Sequence, residues 1–80
     1  MLDTAIGPII NVYSEVAFQI NVTHIGKHNK FRYNNYETIS VASNNTRYTV
    51  SQLKLYGLRV SCHVKYRDTY GRLYADIFLE

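Results

Sequence analysis

The tightest constraint on this 80-residue chain is an alternation in its last third. Leu58, Val60, Cys62, Val64 and Tyr66 interleave with Arg59, Ser61, His63, Lys65 and Arg67; beyond Asp68-Thr69-Tyr70-Gly71, Leu73, Ala75, Ile77 and Leu79 interleave with Arg72, Tyr74, Asp76, Phe78 and Glu80. A period of two is the strand period, with successive side chains on opposite faces. Asp first and Gly fourth suit a type I turn closed by a left-handed residue, so residues 58–80 are predicted to form an antiparallel hairpin. Matching the apolar faces sets Tyr66 opposite Leu73, Val64 opposite Ala75, Cys62 opposite Ile77 and Val60 opposite Leu79. A slip of one residue would set the apolar side chains against Arg, Lys and His. The outer face then pairs Lys65 with Tyr74, His63 with Asp76 and Arg59 with Glu80.

The same period runs through Ile10, Val12, Ser14, Val16, Phe18, Ile20 and Val22, which reads as one long strand bent near Ser14-Glu15. His24 to Lys30 breaks the pattern with glycine and charge, and an extended segment resumes from Phe31 to Ala42. In that segment Phe31, Tyr33, Ile39 and Val41 share a face that Asn35 and Glu37 interrupt, as a bulge around Asn34-Asn35 would explain. Asn44-Asn45 suits a two-residue turn that sets Val41 opposite Tyr48 and Ile39 opposite Val50. Ser51 to Gly57 reads as one helical turn near residues 51–56, with Ser51 as cap, Leu53 and Tyr56 or Leu55 turned inward, and Gly57 as terminator. Val16, Phe18, Ile20, Val22, Val60, Cys62, Val64 and Ile77 are the expected core.

A single small β-rich domain follows, all-β or β-rich α+β, with five strands and one helical turn. This order of elements over residues 10–79 resembles the OB-fold, a five-stranded barrel with a long bent first strand and a helix between its third and fourth strands. A plain antiparallel meander and an SH3-like barrel fit the same order. At this length a core supplies only about 3–5 kcal/mol, and one cysteine provides no intrachain staple. An open meander would leave a strand edge unpaired, so a homo-oligomer is a further expectation.

Charge is unevenly spread. Between His24 and Arg67 lie Lys27, Lys30, Arg32, Arg47, Lys54, Arg59, Lys65 and Arg67 against the single acid Glu37, while the overall net charge is only +3. Such concentration points to an anionic partner. The start, Met1 to Pro8, has neither the basic residues nor the apolar run of a secretory signal, and no apolar run approaches the about 18 residues of a membrane helix. A cytoplasmic location with no membrane partner is expected, in the host cytoplasm if the chain is phage-encoded.

Catalytic and metal constellations are weak. Ser61, His63 and Asp76 share an outer face, but a serine two residues along a strand sits roughly 7 Å from the histidine, and a flat face offers no oxyanion donors. His24, His28 and Cys62 lack a second close cysteine or histidine pair for zinc, and four isolated glycines make no dinucleotide fingerprint. No enzyme, metal or cofactor is expected. What remains is binding surface. The OB resemblance implies that single-stranded nucleic acid binds across strands two and three and the loops after the first and fourth strands, with aromatics stacking bases and cations tracking phosphates. It points to Lys27, Lys30, Arg32, Tyr36, Arg47 and Tyr70. The chain is also rich in Asn, Ile, Tyr, Lys and Phe, and in this it resembles small phage host-takeover and anti-defence proteins, anti-CRISPR proteins among them. That resemblance implies a protein-binding inhibitor of a host or defence system, or a homo-oligomeric phage structural component.

Overall fold

The computed structural model describes residues 2–80. Its elements are β1 (Asp3–Ser14), β2 (Ala17–Asn21), β3 (His24–Ile25), β4 (Tyr36–Asn44), α1 (Val50–Leu55), β5 (Arg59–Arg67) and β6 (Leu73–Leu79). The sheet order is β2-β4-β6-β5-β1-β3, and β2 also pairs with β1, which closes β1, β2, β4, β6 and β5 into a barrel. All pairings are antiparallel except β4 with β6. A closed five-stranded barrel with its helix between the third and fourth barrel strands is OB-like. It removes the full-length open edge of a meander, and with it the argument for self-association: what edge is left among the described residues is short, at β3 and at the end of β5 beyond Val64.

The C-terminal hairpin keeps the expected pairs Val60 with Leu79, Cys62 with Ile77, and Val64 with Ala75, and His63 faces Asp76. One residue further the ladder slips. Lys65 is bulged out, so Tyr66 pairs with Tyr74 and Arg67 with Leu73, in place of Tyr66 with Leu73 and Lys65 with Tyr74. An extra residue in one strand exchanges the faces beyond it. Tyr66 therefore stacks on Tyr74 at 5.1 Å between ring centroids, and Arg67 turns toward the barrel mouth. Gly71 closes the turn at φ +84°, as the turn type requires.

The strand expected over residues 10–22 is two strands and a hairpin. β1 begins at Asp3, turns at Glu15-Val16 and returns as β2, with Val12 opposite Phe18 and Ile9 opposite Ile20. Val12 and Phe18 keep the same parity across the turn, but an irregularity between Ile9 and Asn11 shifts the inward face of β1 to odd positions, so Ile9, not Ile10, is buried in the core. Val16 sits at that turn and is exposed, and Val22 is only partly buried; the other expected core residues are buried, around Phe18, Ile20, Ile39 and Ile77. The turn is fixed by the Glu15 carboxylate, which accepts from the Val50 N–H at 2.8 Å and from the Ser51 hydroxyl; the bond from Ser51 holds this carboxyl below its ordinary range.

The third barrel strand departs most from expectation. Residues 31–35 are loop, β4 starts at Tyr36, and Asn44-Asn45 leads toward the helix with no hairpin. Ile39 lies between Phe18 of β2 and Leu73 of β6, and Val41 beside Ala75, so neither pairs with Tyr48 or Val50. No bulge at Asn34-Asn35 is needed, because Glu37 belongs to the inner face, buried opposite Ile20. The α1 cap is Thr49, two residues before Ser51: its side chain accepts from the Gln52 N–H at 3.1 Å while Gln52 accepts from the Thr49 N–H at 3.0 Å. Val50 and Leu53 plug one barrel end, whereas Leu55 and Tyr56 face solvent, and Gly57 ends the turn at φ +66°.

Candidate nucleic-acid interface

The barrel end away from α1 is built on two buried carboxylates. Asp3, at the start of β1, accepts from the Lys30 N–H (2.9 Å), the Phe31 N–H (3.0 Å) and the Tyr33 hydroxyl (2.7 Å). Burial alone would push its carboxyl up, but these three donors outweigh it and hold the group below its ordinary range. The Tyr33 hydroxyl is correspondingly pushed up, first by burial and then by its bond to Asp3. Glu37 takes both arms of the Arg67 guanidinium, at 2.9 and 3.0 Å, and accepts from the Asn34 N–H at 2.8 Å. Arg67 also donates to the Gly71 carbonyl (2.8 Å) and the Arg32 carbonyl (3.4 Å), with its guanidinium 5.9 Å from the Tyr33 ring. One planar cation thus ties the loop between β3 and β4 to the loop between β5 and β6.

The second loop has its own lock. Asp68 accepts from the Tyr70 and Arg72 N–H groups and from the Arg72 side chain, all at 2.9 Å. These bonds outweigh partial desolvation and lower the Asp68 carboxyl, while Arg72 lies 5.4 Å from the ring of Tyr70, which is 84% exposed.

The charge left over is lopsided. All six carboxylates are engaged: Asp3 and Glu15 by backbone and hydroxyl donors, Glu37 by Arg67, Asp68 by Arg72, Asp76 by Ser43 and loosely by Lys65, Glu80 by Arg59. Among the described residues Lys27, Lys30, Arg32, Arg47 and Lys54 form no ion pair, and the first three share one loop. Phe31 lies between two of these cations and is more than half-exposed, as are Tyr36, Tyr66 and Tyr70.

The six residues picked out by sequence are therefore divided. Arg32 is tied to the Tyr70 turn through Arg67, Lys30 is held at the start of β1 by its bond to Asp3, and Lys27 lies earlier in the same loop. Tyr36 opens β4 and is the only one of them on the outer surface of the second and third barrel strands; the rest of that surface is small and uncharged, with Gln19, Thr38 and Ser40. Arg47 sits at the opposite end, between β4 and α1. The His24–Lys30 stretch follows the second barrel strand, where it was expected after the first. Sequence reading missed Phe31, Tyr33, Tyr66 and Arg67. An aromatic inside a cationic loop was a usable signal for Phe31, but the placement of Tyr66 and Arg67 depends on the bulge.

The remaining chemistry is sparse. Cys62 is fully buried, which pushes its thiol up to about 12. The described residues hold no group of three His, Cys, Asp or Glu able to grip a metal, and no helix long and apolar enough to cross a membrane. Fold and site together define a small OB-like barrel with a cationic, aromatic end. Comparison of the chain with protein-family models, with curated proteins and with solved structures returned no match.

Proposed function

We propose that the protein binds single-stranded nucleic acid, without catalysis, through the barrel end formed by the β3–β4 and β5–β6 loops. The observation that carries this reading is the imbalance at that end: every carboxylate is spent internally, while Lys27, Lys30 and Arg32 stand unpaired among exposed aromatic rings. Cations supply affinity for phosphates, and aromatic faces distinguish unpaired bases from a duplex that hides them. The engagement of all six carboxylates leaves no free pair for acid–base work, in keeping with a binding role. A buried, unpaired Cys62 fits a reducing cytoplasm.

The test is a fluorescence anisotropy titration of labelled single-stranded and duplex oligonucleotides at two salt concentrations. Tighter binding of the single strand is expected, with affinity falling steeply as salt rises. Lys30→Ala should weaken binding regardless of sequence and lower the salt slope by about 0.7. Absence of salt-sensitive binding at about 50 mM salt would refute the reading. A protein-binding inhibitor of the phage or mobile-element kind then takes precedence, with a homo-oligomeric particle component behind it. That second reading draws on the other barrel end, where Tyr13, Val16, Leu55 and Tyr56 are exposed near Arg47 and Lys54.

A further inference from the structure

A pocket of about 220 Å³ opens at the cationic end. It exists because β5 outruns its neighbour: the pairing with β1 stops at Asp3 opposite Val64, while β5 continues to Arg67. Over those last residues the β1 side of β5 has no strand partner among the described residues, and the loop at Phe31–Tyr33 stands across the gap, held by Asp3. Buried Val64 and Leu73 line the pocket together with Phe31, Tyr33, Lys65, Tyr66 and Arg67. The lining is mostly apolar and aromatic, and its one guanidinium is already spent on Glu37, Gly71 and Arg32. The pocket therefore offers stacking surface, with Lys65, only loosely paired to Asp76, as its one other charged residue.

We infer that this pocket receives one unpaired nucleobase, its ring against Phe31 and Tyr66, with the adjoining phosphates on Lys30 and Arg32. The inference rests on the proposed nucleic-acid function and adds to it a defined base site. Three observations select this occupant. The pocket is smaller than the about 300–1,000 Å³ of drug-sized ligand sites, so it suits a single planar ring system. Its most exposed aromatic, Phe31, is flanked in the chain by the two unpaired cations Lys30 and Arg32, which matches the base-next-to-phosphate pattern of a nucleotide. Unpartnered strand edge at Lys65–Arg67 supplies backbone groups of the kind a base edge can bond, which a plain apolar side chain cannot use.

Two labelled strands of equal length separate the base site from general phosphate binding: oligothymidylate, and an abasic strand with the same number of phosphates. Stacking measured by alanine substitution is worth about 1–3 kcal/mol per base, or roughly 5- to 150-fold in affinity. Wild-type protein should bind the thymidylate strand at least about fivefold more tightly. Phe31→Ala should abolish that preference without altering abasic binding, whereas Lys30→Ala and Arg32→Ala should weaken both strands equally. Phe31 is exposed, so its removal leaves the core intact, as circular dichroism would verify. Equal, salt-dependent binding of both strands, unchanged by Phe31→Ala, would overturn the base site while leaving the nucleic-acid function standing. No salt-dependent binding of either strand would overturn both.

Discussion

Gly7 is the position at which one added methyl group should do the most damage. It lies in β1, paired with Val60 of β5 on one edge and pressed against the end of β2 on the other. A Cβ there would stand 1.8 Å from the Asn21 carbonyl oxygen and 2.8 Å from its carbon, against an ordinary contact of at least 3.4 Å. The obstacle is backbone, so no side chain can swing aside. Relief requires β1 to part from residues 21–23, which breaks the bond from the Thr23 N–H to the Ile6 carbonyl (2.9 Å) and strains the adjoining Ile9–Ile20 pair. Retreat the other way would open the β1–β5 ladder. Two or three hydrogen bonds at about 1 kcal/mol each, with about 1–3 kcal/mol for forced displacement in a packed interior, give a loss of about 3–6 kcal/mol for Gly7→Ala. A chain of this size has only about 4–12 kcal/mol in total. Urea denaturation followed by circular dichroism should therefore find Gly7→Ala mostly unfolded, or with its thermal midpoint lowered by about 15 °C or more. Gly26→Ala is the milder comparison: its nearest obstacle is the Asn29 side chain, which can move only by giving up its two bonds to the Thr4 backbone, so it should cost about 1–2 kcal/mol. If Gly7→Ala stayed within about 1 kcal/mol of wild type with a native spectrum, the close approach of the two strands would be refuted.

Val64→Ala should cost about 1–3 kcal/mol through lost burial and a residual cavity, measured by the same urea titration, and a smaller effect than its solvent-facing neighbour Lys65→Ala would contradict its inward placement. Glu37→Gln leaves Arg67 half-partnered; because Arg67 is about one-third exposed, a loss of about 1–3 kcal/mol is expected, less than for a fully buried pair, together with faster amide exchange at residues 31–35. Stability should be level from about pH 7 to 5 and fall below about pH 4: Asp3, Glu15 and Asp68 are depressed from ordinary values of 3.8, 4.5 and 3.8, so their contribution is present above those values and lost as pH drops through the folded ones. Asp3→Asn should shallow that acid slope, and stability rising on acidification would contradict the assignment. Cys62 should react with thiol reagents only as fast as the barrel opens, and rapid labelling of the native protein would place it outside the core.

Legibility in the sequence followed the local rules. The C-terminal hairpin could be read because it joins neighbouring segments through a turn with recognisable residues, and its register held until the bulge at Lys65. The β1–β2 turn at Glu15-Val16 contains no Gly, Asn or Pro, keeps Val12 and Phe18 on one alternation, and is fixed by a distant contact with α1. No local pattern announces such a turn. Asn44-Asn45 shows the converse: strong turn residues favour a hairpin, but the parallel pairing of β4 with β6 spreads the chain across the barrel instead. The cationic residues of the site were visible as composition. Their division between two barrel ends, and the pocket beside Phe31, depend on where β1 stops relative to β5, a three-dimensional offset.

The place of β6 in the barrel sets the order in which the fold can be completed. It is made after β1 to β5, yet it sits between β4 and β5, hydrogen-bonded to both. Until residues 73–79 are in place, those two strands keep bare edges and the apolar interior has an open seam between Ile39 and Val64. Closure also joins partners as distant as Ile39 and Leu73, or Asp3 and Val64, so a large loop entropy is lost before the contacts repay it. Closure of this barrel is thereby expected to be slow for its size and to wait for the synthesis of β6. A chain cut before Leu73 would display two unpaired strand edges at once, the geometry from which aggregation starts.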